Sequence, residues 1–201
     1  MVSTLSEAKT YGGIGSILVL FTAIPTIGWL LGIVGFIFII MAVKYISDAF
    51  ADKSIYNNML VSILLDVAAI AVGTLAIYGT VLRVMGLGSF VGSNFVLNSN
   101  IAVGDWVGLA AGVIAGLVAV WALLVTSAVF LRRSYDSMAS KLGVNTFKTA
   151  GLVFLIGAAT TIIGVGFVLI LVAQILLVVA FFSIKEGIPV PTQQQPVATI
   201  R

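Results

Sequence analysis

Cysteine and histidine are both absent from the 201-residue sequence, and charged residues make up only 8% of it. Without cysteine there is no disulfide, no thiolate metal site and no cysteine nucleophile. Without histidine there is no imidazole ligand for haem or zinc and no histidine general base. In soluble domains about a quarter of the residues are charged, so a chain of this composition cannot keep a soluble surface. Because 61% of its residues are hydrophobic, we expect lipid to be its main solvent.

No catalytic or nucleotide-binding motif is recognisable in the remaining residues. A membrane protease would need a paired nucleophile and base, or two close aspartates. The glycine-rich residues 12–15 lie within an apolar run and lack the strand that precedes a phosphate-binding loop. The net charge of +3 comes from basic residues placed singly at the ends of apolar runs, so nucleic-acid binding is not expected. We therefore predict a non-enzymatic protein without cofactor or metal.

Four long apolar stretches predict six membrane-spanning helices. One crossing of the roughly 30 Å hydrocarbon core needs about 20 helical residues. Residues 55–82 and 106–131 fit one span each, whereas residues 12–43 and 149–184 are too long for a single crossing. Each long stretch has a helix breaker near its middle, at Pro25 and at residues 164–166. We interpret each as a hairpin of two short spans, and a kinked, tilted helix or a re-entrant loop is the alternative.

The predicted fold is an all-α membrane helical bundle with the order hairpin, single span, single span, hairpin, in one domain covering residues 1–186. The spans are predicted at residues 6–24, 27–47, 56–82, 106–132, 147–163 and 165–184. Residues 85–105 are the one sizeable outer loop, and the Pro- and Gln-rich residues 187–201 are a flexible cytoplasmic tail. The hairpins also resemble each other, since Lys-Thr-Tyr-Gly at residues 9–12 aligns with Lys-Thr-Ala-Gly at residues 148–151. This alignment predicts a parallel repeat.

The basic residues predict the orientation of these spans. Arg83 is the one basic residue on the outer side, and the other nine of the ten Lys and Arg residues lie on the inner side. This asymmetry follows the positive-inside rule and predicts that both termini are cytoplasmic. The predicted location is the cell membrane, with the lipid bilayer as the main partner. A second copy of the chain or another subunit of a membrane complex is an additional candidate partner.

Asp66 is the residue most able to carry chemistry, since it lies about ten residues, or roughly 15 Å, into the third span. An ionised carboxylate is costly at that depth and is a functional candidate by default. Ser62 and Thr74 lie on the same mildly polar face, and Gln174 lies at a similar depth in the sixth span. Two interpretations stay open. These groups bind a proton or a cation, or a protonated Asp66 locks two helices together through hydrogen bonds to Ser62 or Gln174.

Three glycines predict close helix packing in the fourth span. Gly108, Gly112 and Gly116 form two overlapping Gly-x-x-x-Gly units, and small residues at this spacing let helix backbones approach closely. We expect them to pack within the bundle, because six helices in one chain need internal contacts. A dimer interface is the alternative.

Several short motifs are shared with a known family. They are Glu-Ala-Lys-Thr-Tyr-Gly-Gly-Ile-Gly at residues 7–15, Ile-Pro-Thr-Ile-Gly-Trp at residues 24–29, Ala-Val-Lys-Tyr-Ile-Ser-Asp at residues 42–48, Ser-Ile-Tyr-Asn-Asn at residues 54–58, and Lys-Thr-Ala-Gly at residues 148–151. In these motifs the chain resembles the uncharacterised, mainly archaeal, multi-pass membrane proteins called domain of unknown function 996. The resemblance covers roughly residues 5–185. It implies a membrane protein but no known activity and no functional residues.

Two functions fit these observations. The first is a non-enzymatic structural, scaffold or accessory component of the membrane, favoured by short loops and an apolar interior. The second is a small proton- or cation-linked transporter or channel that uses Asp66. The surroundings of Asp66 separate them, because a cavity that reaches either face favours transport and a sealed apolar site favours a structural role.

Overall fold

The computed structural model describes residues 2–85 and 103–185 of the chain. These residues form six α-helices and, within the two described ranges, no β-strand. The helices are α1 (Val2–Leu20), α2 (Gly28–Ala49), α3 (Lys53–Met85), α4 (Val103–Leu142), α5 (Asn145–Thr160) and α6 (Gly166–Phe182). The predicted all-α bundle is confirmed. The predicted tail and nearly all of the predicted outer loop lie outside the described residues.

Both predicted breakers are turns between antiparallel helices. A 3-10 turn, Phe21–Ala23, follows α1, and α2 then packs back along α1. Gly15 and Gly35 lie where the two helices are closest, since a Cβ on Gly15 would lie 2.6 Å from the Gly35 carbonyl oxygen. The second hairpin has the same design, with the 3-10 turn Thr161–Ile163 followed by Gly164 at a φ of 82°. The order of hairpin, single helix, single helix and hairpin is therefore confirmed.

The six helices form a closed ring in chain order. Each helix packs against the next one, and α6 packs against α1. The main hydrophobic core lies at the end of the ring that holds the α2–α3 and α4–α5 connections, which we call the base. The largest fully buried hydrophobic side chains there are Leu5, Ile46, Ile55, Met59, Met138, Phe147, Phe181 and Ile184. The rings of Phe147 and Phe181 meet edge to face, with 5.0 Å between their centroids.

Helices α3 and α4 extend well beyond the two hairpins. They have 33 and 40 residues, whereas α5 and α6 have 16 and 17. At 1.5 Å per residue, α3 and α4 measure about 50 and 60 Å, and α5 and α6 about 25 Å. The extra length lies opposite the base, where Ile70, Leu75 and Leu117 are 63–73% exposed. We call residues 70–82 and 107–118 the projecting pair.

Four of the described helices are long and apolar enough to cross a membrane by length and composition. They are Gly28–Ala49, Lys53–Leu82, Val107–Leu142 and Asn145–Ile163. Helix α6 is apolar but has only 17 residues, and α1 is not among the four. Because α1 and α6 each pack antiparallel to one of the four, the hairpin arrangement supports a crossing by all six. The number of crossings stays a prediction.

Candidate functional site

A small cavity of about 70 Å³ lies on the axis of the ring. All six helices contribute to its wall, which is expected only for a space at the centre of the bundle. Its apolar lining is formed by Val19, Phe36, Ile39, Met59, Ile63, Leu131, Phe154 and Leu177, and its polar lining by Ser62, Asp66, Tyr135 and Gln174. We call this space the axial cavity. One water needs about 10–15 Å³ of such a space, so the cavity has room for a few waters or for one small ion with some waters.

Ser62 contacts a residue that the sequence interpretation missed. Its hydroxyl oxygen lies 2.8 Å from that of Ser127 in α4, and both side chains are buried. The Asp66 carboxyl group lies one helical turn further along α3 and interacts with the same Ser127 hydroxyl. Ser127 therefore joins both polar residues of α3 to α4. In the sequence, Ser127 is distinguished only as a serine within the fourth predicted span, at about the same depth as Ser62 in the third.

Gln174 enters the cavity wall from α6, on the opposite side of the ring from α3. Its Oε1 atom is buried and has no hydrogen-bond partner among the residues that the structure describes. Asp66 and Gln174 line the same cavity, but no direct hydrogen bond joins these two side chains. A buried carbonyl oxygen without a donor costs about 1–3 kcal/mol, so Gln174 is a polar group that the folded chain leaves unsatisfied.

Tyr135 is a second residue of the cavity wall that the sequence did not indicate. It is only 5% exposed, and its ring lies 6.3 Å from that of Phe147, measured between centroids. It extends inward from α4, one turn from Leu131 on the same side of the helix. On the side of the base, the cavity wall therefore includes a buried aromatic side chain that packs on the hydrophobic core.

Thr74 does not reach the axial cavity. It lies two turns beyond Asp66 on α3, is exposed, and donates its hydroxyl hydrogen to the Ile70 carbonyl oxygen at 2.8 Å. This bond within its own helix satisfies the hydroxyl group without a partner helix. The polar face of α3 that is turned toward the cavity therefore consists of Ser62 and Asp66.

The three glycines of α4 have two different environments. A Cβ on Gly116 would lie 2.8 Å from the Cβ of Ala76, so Gly116 allows α4 to pack closely on α3. A Cβ on Gly108 or Gly112 would meet nothing within 4 Å. Those two glycines line a groove of about 220 Å³ on the projecting pair, together with Gly79. Internal packing accounts for Gly116 but not for the other two.

Asp66 is the one charged residue in the wall of the axial cavity. Arg132 and Asp136 of α4 pair with each other at 3.7 Å outside the cavity, and both remain over a third exposed. Within the described ranges there is no group of three or more Asp, Glu, Cys or His residues that could hold a metal ion. The charge of an ionised Asp66 therefore has no counter-ion from the described part of the chain.

Fold and cavity together define a ring of six largely apolar helices around a single carboxylate. The sequence model of the DUF996 family, described as a protein of unknown function, matches residues 31–175. This range includes Asp66, Ser127 and Gln174. The uncharacterized protein MJ1644 of Methanocaldococcus jannaschii is 30% identical over 184 residues, which cover 92% of this chain and 95% of that protein. The chain belongs to the DUF996 family, as its short motifs predicted. No solved structure matches it.

Proposed function

We propose that this protein is a non-enzymatic, multi-pass protein of the cell membrane that moves a proton or a small cation by way of the axial cavity. The observation that carries the proposal is a lone carboxylate, Asp66, in the wall of a cavity to which all six helices contribute. Acidic residues in the membrane interior, which can bind and release a proton or a cation, commonly mark proton and ion pathways.

The depth of the cavity supports this function. Along α3, Asp66 lies about 20 Å from Lys53 and about 24 Å from Leu82, at 1.5 Å per residue. Along α6, Gln174 lies about 12 Å from Gly166 and about 12 Å from Phe182, at 1.5 Å per residue. Both helices therefore bring their polar residue close to the midplane of a bilayer that the ring spans. Intramembrane acids at this depth commonly belong to ion and proton pathways.

The charge of Asp66 supports the same function. A half-buried carboxylate beside an apolar cavity and without a counter-ion either takes up a proton or holds a cation, because isolated charge is costly in an apolar medium. No Lys or Arg of the described residues lines the axial cavity. The neutralising charge is therefore a proton or a cation taken from solution, and in the proposed function it is released again when the site is emptied. This exchange is what we propose the protein uses.

We propose that the base of the ring faces the cytoplasm and that both termini are cytoplasmic. The basic residues in the half of the ring nearer the base are Lys9, Lys44, Lys53, Arg132, Arg133, Lys141, Lys148 and Lys185. Arg83 lies near the opposite end of α3. The positive-inside rule assigns the basic side to the cytoplasm. The lipid bilayer is the main partner in this arrangement, and no role in nucleic-acid binding is proposed.

Flux measurements in liposomes test the proposal. We would compare the wild type with Asp66→Asn under gradients of pH, Na⁺ and K⁺. Asp48→Asn is the matched control, because Asp48 is an exposed carboxylate near the end of α2. We expect the Asp66 variant to fall to the leak of protein-free liposomes and the Asp48 variant to keep wild-type flux. Equal flux in the wild type and Asp66→Asn, or leak alone in both, would contradict the function.

A second candidate function is an accessory or scaffold subunit of a membrane complex. The projecting pair favours it, because its large apolar side chains and the groove at Gly108 and Gly112 are not covered by any other of the described helices. In that function Asp66 stays protonated and holds α3 to α4. Purification from native membranes tests it. A defined partner in constant stoichiometry, lost on Gly112→Leu and kept on Thr149→Leu, which alters an exposed residue of α5 outside the projecting pair, would support this function over transport.

A further inference from the structure

We infer that the axial cavity binds one partly dehydrated alkali-metal cation such as Na⁺, held by oxygen atoms of Asp66, Ser62 and Gln174. The inference rests on the proposed function, because it names the ion for the same site. The inference is more specific than the proposed function. If Asp66 carries only a proton, the function holds and the inference is wrong.

The unpaired oxygen of Gln174 is the first argument for a metal cation. Gln174 Oε1 is buried, has no hydrogen-bond partner and belongs to a residue that lines the cavity. A proton on Asp66 would neutralise the carboxylate, but no hydrogen bond joins Asp66 to Gln174, so the amide oxygen would stay unsatisfied. A cation in the cavity can accept lone pairs from both residues. It therefore accounts for two polar groups that a proton on Asp66 does not satisfy together.

Ser62 adds a third oxygen to the same wall. Its hydroxyl shares one hydrogen bond with Ser127, at 2.8 Å between the two oxygens. A hydroxyl oxygen has two acceptor lone pairs, so one hydrogen bond leaves lone-pair capacity at Ser62. One carboxylate, one amide oxygen and one hydroxyl are hard ligands of the kind that cations without d-electron preferences take.

The charge and volume of the site select among cations. Asp66 is the single acidic residue of the cavity, so it balances one positive charge. Calcium takes 6–8 oxygen ligands, often several carboxylates, and magnesium keeps several waters, so both need more charge or space. Zinc and copper favour Cys and His, which the whole sequence lacks. A cavity of about 70 Å³ has room for a small ion with a few waters, and Na⁺ is the alkali-metal cation with which the binding experiment probes it.

Binding to the full chain in detergent tests the inference without any flux. We would measure radiolabelled Na⁺ by equilibrium dialysis, and thermal unfolding in NaCl against choline chloride at equal ionic strength. We expect one saturable Na⁺ per chain and an unfolding temperature that rises with NaCl only. Gln174→Leu, which removes the amide but keeps the volume, should weaken Na⁺ binding at least tenfold. Asp66→Asn should abolish it, and Asp48→Asn should leave it unchanged.

The possible outcomes separate the inference from the function. Proton flux in liposomes without bound Na⁺ would overturn the inference and leave transport standing. Bound Na⁺ without flux would keep the site and contradict transport. Because the wild type itself must bind Na⁺, a variant that fails to fold does not weaken the test. Absence of label on the wild type, or full displacement of the label by choline, would overturn the inference directly.

Discussion

The geometry of the hydrogen bond between Ser62 and Ser127 predicts how much unfolding free energy is lost when the bond is removed. The two oxygens are 2.8 Å apart, and each side chain is 1% exposed. Removing one hydroxyl leaves the other buried without this partner, which costs about 1–3 kcal/mol. Measured couplings of such bonds between helices in membranes average about 0.6 kcal/mol and reach about 1.7. We expect each single alanine to cost about 1–2 kcal/mol of unfolding free energy, and the double variant to cost less than the sum by about 0.6–1.7 kcal/mol.

The two single substitutions are not expected to be equal. Ser127 also interacts with the Asp66 carboxyl group, whereas Ser62 has Ser127 as its one hydrogen-bond partner among the described residues. Ser127→Ala therefore removes two interactions of α4 with α3, and Ser62→Ala removes one. The Ser127 variant should be the less stable of the two. In an Asp66→Asn background the difference between them should change, because the partner of the second interaction is altered.

Unfolding titrations in mixed micelles, followed by far-ultraviolet circular dichroism, measure this double-mutant cycle. Ser140→Ala is the matched control, because the Ser140 hydroxyl is exposed and bonds to the Asp136 carbonyl oxygen within α4 at 2.9 Å. We expect the control to stay within about 0.5 kcal/mol of the wild type. Strict additivity of Ser62→Ala and Ser127→Ala would refute the contact between α3 and α4 that the cavity wall depends on.

Three further results are expected in thermal unfolding experiments. Hydrogen bonds from the Ser54 side chain and backbone N–H lower the pKa of Asp52. This stabilisation is present above the ordinary Asp pKa of about 4 and is lost as the pH falls through the lower folded pKa, so the advantage of the wild type over Asp52→Ala should shrink below about pH 4. Gly116→Val should cost about 1–3 kcal/mol through its clash with Ala76. Gly112→Ala, which meets open space, should instead stabilise by roughly 0.5–1 kcal/mol, and equal effects at both glycines would contradict the packing.

Apolar runs and breakers predicted the number and order of the helices, because both features act locally. Helix ends were harder to predict from hydropathy. The apolar run of the fourth span ends at Arg132, and the sequence beyond it predicts a helix that continues to Leu142 and stops at Gly143, as α4 does, because a charged residue does not interrupt a helix. Helix α4 stops before Gly143, whose φ of 67° is unfavourable for other residues. Hydropathy therefore locates the lipid boundary, while backbone conformation locates the end of the helix.

The cavity was predictable only in part. Asp66 and Gln174 were found because a polar residue in a long apolar run marks its own depth. Ser127 and Tyr135 were missed because α4 is apolar on most faces, so its sequence does not indicate which side turns toward the ring axis. Thr74 illustrates the opposite problem, since a hydroxyl that bonds to its own helix backbone needs no polar neighbour. Helix rotation, which neighbouring helices determine, is the information that the sequence pattern lacked.

Comparison of the two hairpins indicates that packing alone does not explain the polar residue Gln174 in the cavity wall. Helices α2 and α6 begin at Gly28 and Gly166, and Phe36 and Gln174 lie at the same distance from these starts. Both line the axial cavity, which supports the predicted parallel repeat. The position of the Gln174 amide in the second hairpin is therefore occupied by the aromatic ring of Phe36 in the first. Since an apolar residue satisfies the packing there, the unpaired oxygen of Gln174 adds a cost that the fold does not require. A cation beside Asp66 would offset that cost.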